Sequence, residues 1–424
     1  MQRPRGTQDL MGDQILKFRH IEATAYQLAQ QFAFQEIATP IFEQHDVFHR
    51  TLGDSSDMVA KETYDFQDRG GETLTLRPEG TAPIARAFLS EGLQQNLPLK
   101  FYYYGPMFRY ERPQRGRFRQ FHQIGVEHLG TPFPESDAEV ILLAWEFLSA
   151  LGLTDKARVE LNSLGDAESR ANYRTALVSY FEAHKSNLCA DSLVRLEKNP
   201  LRILDSKDRG EQDLIRNAPK LAKFLNDDSR KFFDRVCEQL TKLNLPFQIS
   251  DRLVRGIDYY CHTVFEITTA ELGAQGTLLG GGRYDGLIEL MGGPKTPSVG
   301  WAAGVERLAD LLGDKAGTKK LLKVGILTAD EIGEVGALAL RSELLQSGCE
   351  INLLFGSMGV GKKFKKADKL GLQWVIILGE KEIQSQVLTL KNLSTGLQSE
   401  IPRAKVSQFL FKEKNGEPAP RADS

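Results

Sequence analysis

The stretch Phe108-Arg109-Tyr110-Glu111-Arg112-Pro113-Gln114-Arg115-Gly116-Arg117-Phe118-Arg119-Gln120-Phe121-His122-Gln123-Ile124-Gly125-Val126-Glu127 decides how the rest of the chain is read. Its aromatic and β-branched ends read as two antiparallel strands, Phe108 to Glu111 and Phe121 to Val126, joined by a loop. Five arginines fall within the eleven residues from Arg109 to Arg119. So many guanidiniums cannot all find carboxylates nearby. A solvated basic loop is one reading; the other is an anion site, since the guanidinium fork suits phosphate oxygens. On the second strand, Gln123, Gly125 and Glu127 share one face by the two-residue period, and His122, Ile124 and Val126 share the other. A Gln and a Glu on either side of a glycine gap outline a small pocket for an ammonium group or an imidazole, where a plain half-exposed sheet face is the alternative.

Upstream, Phe18, Ile21, Ala25, Leu28 and Phe32 alternate at spacings of three and four, which predicts a helix over 18–32. Leu74 to Leu76 and Phe101 to Tyr104 read as further strands. Leu76-Arg77-Pro78-Glu79-Gly80-Thr81 is an acidic turn whose glycine lets backbone approach a ligand. Downstream, Asp166 to about Leu245 turns rich in Leu, Lys, Asp and Glu and reads as an inserted helical module. Strand character returns over Leu253 to Thr269. Gly280-Gly281-Gly282-Arg283-Tyr284-Asp285-Gly286 reads as a glycine-rich turn, and neither it nor Leu253 to Tyr260 fits the GxGxxG dinucleotide fingerprint. Gly304-Val305-Glu306-Arg307 then puts a cation in the first turn of an apolar helix, 305–312, a place that favours an anion nearby. Gly313 to Lys320 has linker composition. Beyond it, strands near Val324–Leu327, Ile351–Phe355 and Trp374–Leu378 alternate with helices near 332–346 and 362–370, an α/β pattern.

At 424 residues the chain is long enough for two or three domains, and 54 Lys and Arg against 56 Asp and Glu leave a net charge of −2, so any polyanion site must be local. Four cysteines, 189, 237, 261 and 349, show no CxxC pair and read as free thiols. No apolar run would span a bilayer and the first residues lack a signal-peptide core, so a cytoplasmic protein without a membrane partner is expected. One motif misleads: residues 356–362 fit the GxxxxGK core of a P-loop, but Lys363 stands where Ser or Thr would hold Mg2+.

Taken together, these motifs resemble the class II aminoacyl-tRNA synthetases and, within them, the histidyl-tRNA synthetase family. Phe108 to Glu127 resembles motif 2, Gly304 to Leu308 motif 3, and the region of Ala38-Thr39-Pro40 the motif 1 dimer strand. Arg255-Gly256-Ile257-Asp258-Tyr259-Tyr260 and Gly281 to Gly286 resemble the two histidine-specific motifs, and Pro4-Arg5-Gly6-Thr7 an N-terminal signature. The implied fold is α+β. It has a class II antiparallel sheet flanked by helices in a catalytic domain (1–320, with the helical insertion about 166–245), a C-terminal α/β anticodon-binding domain (321–414) and a disordered tail (415–424).

The resemblance implies ATP-dependent activation of histidine to histidyl-adenylate, then transfer to the 3′ end of tRNA(His), by a homodimer using Mg2+. It implies that Glu79, Gly80, Thr81, Arg109, Gln123, Glu127, Arg255, Tyr259, Tyr260 and Tyr284 bind histidine, with Arg255 and Arg109 catalytic. Arg109, Glu111, Arg117, Phe121 and Arg307 would bind ATP, with Phe121 stacking on adenine. Arg112 and Gln114 would read the tRNA acceptor end. No protein side chains are expected to form a dedicated metal site. From Leu321 to Lys414, 13 Lys and Arg face 10 Asp and Glu, and Lys362, Lys363, Lys365, Lys366 and Lys369 cluster where they could track an RNA backbone. The alternative is a non-catalytic, histidine-sensing regulatory paralogue, which typically lacks the C-terminal domain and erodes the Arg255 motif.

Overall fold

The computed structural model describes residues 1–52, 61–114, 116–206, 208–254, 259–273, 276–313, 321–356 and 358–415. The chain divides into two compact units, Met1–Thr318 and Lys319–Ser424. In the first, α1 (Asp13–Gln31) buries Phe18, Ile21, Ala25 and Ala29 along one stripe. It ends before Phe32 because Ala33 takes a left-handed turn, φ 61°. After β1 (Gln35–Glu36), a small antiparallel sheet forms from β2 (Phe42–Gln44), β3 (Tyr64–Gln67) and β4 (Thr73–Leu76), with α2 (Asp46–Leu52) between the first two. Helix α3 (Thr81–Ser90) leads to the hairpin β5 (Leu99–Phe108) and β6 (Gln120–Leu129), paired from Leu99 opposite Leu129 to Phe108 opposite Gln120.

Then come α4 (Pro134–Ala150) and β7 (Arg158–Ser163), followed by four helices, α5 (Ala167–Ala183), α6 (Ala190–Lys198), α7 (Gln212–Arg216) and α8 (Asp227–Lys242). Asp166 and Asn226 cap α5 and α8 by accepting the Ser169 and Ser229 backbone N–H groups, at 2.8 and 2.9 Å. Strands β8 (Phe247–Ile249), β9 (Cys261–Thr268) and β10 (Thr277–Arg283), the short α9 (Leu287–Leu290), β11 (Ser298–Gly304) and α10 (Val305–Leu312) complete the unit. The large sheet runs β1-β5-β6-β11-β10-β9-β7-β8, antiparallel except where β1 joins β5 and β7 joins β8. Side-chain alternation separates two cores: Tyr102, Ile124 and Val126 pack with α1, α4 and α10, while Phe101, Tyr103 and Met107 pack with α3 on the other face.

Three local expectations change. Phe108 to Glu111 is not a strand through its length: β5 stops at Phe108, and Tyr110 donates its N–H to Glu62 O at 2.7 Å, drawing the chain away from the ladder. Strand β9 starts at Cys261 rather than Leu253, whose N–H closes a turn onto Ser250 O at 2.9 Å. The glycine-rich segment is strand through Arg283, not turn. A Cβ on Gly281 would lie 2.1 Å from Gly300 O and one on Gly282 2.6 Å from Thr263 O, so only glycine lets the neighbouring strands approach this closely. Arg283 is wholly buried and ties the end of β10 to the start of α4 through Asp137 and the carbonyls of Thr131 (2.7 Å) and Phe133 (3.2 Å).

The second unit contains β12 (Lys323–Thr328), α11 (Glu331–Leu344), β13 (Glu350–Leu354), α12 (Val360–Lys369), β14 (Trp374–Leu378), α13 (Glu380–Ser385), β15 (Val387–Asn392), β16 (Gln398–Pro402) and α14 (Arg403–Asn415). Strand order is β13-β12-β14-β15-β16, parallel through the first three and antiparallel beyond. The tail beyond Asn415 and the linker 314–320 lie outside the described residues. Of the lysine cluster on α12, Lys362, Lys365, Lys366 and Lys369 are exposed, but Lys363 is buried. Its ammonium donates to Thr328 O at 2.7 Å and Thr328 Oγ1 at 2.8 Å, so it fastens α12 to the end of β12 and is not free to track RNA. Lys363→Ala is expected to lower stability by about 1–3 kcal/mol, because two buried acceptors lose their donor. Lys366→Ala should leave it unchanged; urea titration of the full-length protein separates the two.

Candidate active site

A cleft opens over β6, β10 and β11 on the sheet face away from α1, and its lining mixes two chemistries. At one end stand Glu79, Thr81, Gln123, Glu127, Tyr259, Tyr260 and Tyr284, all buried. Glu127 accepts the Thr81 hydroxyl at 2.6 Å and the Tyr284 hydroxyl. Burial pushes its carboxyl up to about 8; the two hydroxyls pull the other way, and the neighbouring Glu79 adds to the rise. Glu79 caps α3, accepting the N–H groups of Thr81 (2.7 Å) and Ala82 (2.8 Å), and burial raises its carboxyl too. The three tyrosines form a wall, Tyr259 lying 4.8 Å from Tyr260 and 5.5 Å from Tyr284 between ring centroids. Gln123 Oε1 is buried with no hydrogen-bond partner among the described residues, so it awaits a donor from a ligand.

The floor differs from the expected glycine gap. Tyr103, paired across the hairpin with Gly125, fills it: a Cβ on Gly125 would lie 2.3 Å from Tyr103 Cζ, and one on Gly80 2.3 Å from Tyr103 Cε2. Gly80 therefore backs the ring and is not among the residues lining the cleft. Among the residues lining the cleft, sequence reasoning missed Thr277, Gly300 and Trp301; it also missed Tyr103, which only the cross-strand register brings under Gly125. Gly300 plays the matching part opposite Glu127, since a Cβ there would lie 1.8 Å from Glu127 Oε2.

At the other end Arg109, Arg117 and Arg307 converge on Phe121, Gly304 and Thr277. Arg109 donates to Pro78 O at 2.8 Å and lies over the Phe121 ring, 5.1 Å from its centroid. Arg117 pairs with Glu111 at 3.0 Å, and Arg307 donates to Thr277 O at 2.6 Å. Burial, then the charge of Arg117, lowers the Arg307 guanidinium below its usual range. Glu111 and Glu306 line this end, and Glu266 also acts on Arg307. Glu306 is committed to the β6 backbone, accepting His122 N–H at 3.0 Å beside His122 Nδ1 at 3.1 Å. Three guanidiniums thus gather at one end of the cleft, the kind of arrangement that meets an anion. Arg112 and Gln114 are exposed and lie outside the cleft. Arg255 falls at 255–258, outside the described residues.

Away from the cleft, His45, His49 and Asp65 bring ligand atoms within 4.8 Å of one another. Asp65 is already held by the Thr63 hydroxyl at 2.8 Å and the Thr75 hydroxyl at 2.5 Å, and the two imidazoles stack at 3.6 Å.

A model of the family described as histidyl-tRNA synthetase matches residues 6–308, and one described as anticodon binding domain matches residues 323–413. The chain is 51% identical to a histidine–tRNA ligase of Rhodospirillum rubrum, over 97% of this chain and 99% of that protein. It is 48% identical to a histidine–tRNA ligase of Gluconobacter oxydans, over 97% and 98%. Among solved structures it is similar to apo histidyl-tRNA synthetase from S. aureus, with a TM-score of 0.82 and 34% identity over 97% of this chain and 100% of that one.

Proposed function

The chain belongs to the histidyl-tRNA synthetase family and is a histidine–tRNA ligase, and we propose that the two ends of the cleft divide its chemistry between histidine and ATP. The enzyme activates histidine with ATP to histidyl-adenylate and pyrophosphate, then transfers the histidyl group to tRNA. The observation that carries the division is the charge layout: buried carboxylates and phenols at one end, three guanidiniums at the other.

In this reading Glu79 and Glu127 face the ammonium of histidine, Gln123 accepts an N–H from it, and Tyr259, Tyr260 and Tyr284 enclose the imidazole. The carboxylate of histidine attacks the α-phosphorus of ATP as the bond to the β-phosphate oxygen breaks and pyrophosphate leaves. Two anions approach one another in that step, so fixed cations must meet the growing charge. Arg109 and Arg255 take that role, Arg117 and Arg307 hold the outer phosphates, and Phe121 carries adenine with Glu111 toward its amino group. Glu306 is already committed to His122, so in this reading Mg2+ arrives with ATP rather than at a dedicated protein site. When bound, the ion would screen the β- and γ-phosphates. In the second step a hydroxyl of the terminal ribose of tRNA attacks the adenylate carbonyl and AMP leaves, with Arg112 and Gln114 reading the acceptor end.

The same reading takes residues 1–320 as the catalytic domain, with the helical insertion about 166–245, and 321–414 as the domain that grips the anticodon. It makes the protein a cytoplasmic homodimer. Among the described residues no helix is long and apolar enough to cross a membrane. Exchange of pyrophosphate into ATP is expected with histidine and with none of the other nineteen amino acids, and Arg255→Ala should abolish it. Histidine binding without exchange would favour a regulatory role instead.

A further inference from the structure

The N-terminal signature Pro4-Arg5-Gly6-Thr7 has no part in the chemistry above, yet it is built against the motif 2 hairpin. Gly6 O accepts the Arg119 N–H at 2.7 Å. Gly6 itself has φ +84°, and a Cβ on it would lie 2.7 Å from Arg119 Cγ, so the arm fits flush against that side chain. Arg119 is in turn stacked on Tyr110, 3.8 Å from its ring centroid. Thr7 closes the turn, its hydroxyl donating to Pro4 O at 2.8 Å. Between arm and hairpin runs an open groove, lined by Arg3 and Arg5 on one side and Pro113, Gln114, Arg117 and Phe118 on the other. Arg117 and Phe118 also line the catalytic cleft, so groove and cleft share a wall.

We propose that the N-terminal arm is the outer wall of the acceptor-end site, with Arg3 and Arg5 holding backbone phosphates of the terminal nucleotides of tRNA. This inference rests on the function proposed above. Both arginines are exposed, and Arg5 has no ion-pair partner among the described residues. Arg3 reaches only Asp9, 3.8 Å away and itself exposed, a pairing of little energetic weight. Among the described residues no carboxylate lines the groove, while three arginines do, as suits a phosphodiester track. An RNA end whose terminal ribose enters the cleft at Arg117 and Phe118 would have the groove beside it, and Gln114, on the groove wall, supplies an amide able to bond base edges.

The test uses the full-length enzyme, the double variant Arg3→Gln/Arg5→Gln and the charge reversal Arg5→Glu. Both positions are exposed, so the fold should hold. Expected for the double variant are pyrophosphate exchange within about twofold of wild type, a KM for tRNA(His) raised about tenfold with kcat for charging little changed, and a salt dependence of log KM shallower by about one to two. Arg5→Glu should raise KM further. An unchanged KM for tRNA would overturn the proposal. So would a parallel loss of exchange and charging, since the arm would then merely prop the hairpin. Wild-type protein without histidine-dependent exchange would overturn the function it rests on, and is read in a separate assay.

Discussion

Arg109→Ala is expected to slow histidine-dependent pyrophosphate exchange by about a hundredfold to a thousandfold, the usual effect of removing one fixed donor from a developing anion. In the proposed reading its guanidinium lies where both substrates meet, held by Pro78 O on one side and the Phe121 ring on the other. It also lies 3.9 Å from Glu111, which it shares with Arg117. The loss should fall mainly on kcat. Arg109→Lys keeps the charge without the fork and should recover only part of the rate. If Arg109→Ala alters KM for ATP alone and leaves kcat intact, the residue binds ground-state phosphate and does not act in the transition state.

The second large effect is expected at Glu127. With no ligand bound, burial keeps its carboxyl protonated up to about pH 8. An ammonium group in the pocket favours the ionised form, so at pH 7 binding histidine should expel about one proton. Between pH 7 and 8, where the imidazole is already mostly neutral, affinity should rise by about fivefold. Titration calorimetry in buffers of different ionisation enthalpy reads the proton directly. Glu127→Gln should abolish both the proton release and the pH dependence and weaken histidine binding by about a hundredfold or more, as for other buried charge pairs that lose one partner. The same group leaves a mark on folding. Its folded value lies above its ordinary 4.5, so its stabilising contribution is complete below about pH 4.5 and is lost as pH rises through about 8. The Glu127→Gln protein should therefore show a flatter decline of stability over that window. A pH-independent affinity in the wild type would mean that Glu127 is ionised before histidine arrives.

Much of this site could be read from the chain because strands advertise their faces. Gln123 and Glu127 sit two steps apart on either side of Gly125, and that alternation survives folding unchanged. The arginines were visible as a charge excess that no local acid could balance. Tyr103 was not, because its place under Gly125 depends on hairpin register, a long-range fact. Lys363 was misread for a related reason: one face of α12, Lys363 with Ala367, is turned to the sheet while the rest faces solvent, and a run of lysines conceals which is which. In the second unit, β16 escaped because it alternates exposed and half-exposed residues at a sheet edge and carries no strong apolar signal. Glycines mislead in their own way, since the Gly280–Gly282 run looks like a turn and is instead the place where three strands crowd together.

Gly80, Gly125 and Gly300 set a rule for anyone re-engineering the pocket for a different amino acid. Each leaves room for a neighbour's ring or carboxylate and none for a methyl group of its own. A combinatorial library that varies these three positions would spend its diversity on collapsed sites. New selectivity must come from the walls, at Gln123, Tyr259 and Tyr260, where side chains can change size without displacing the floor.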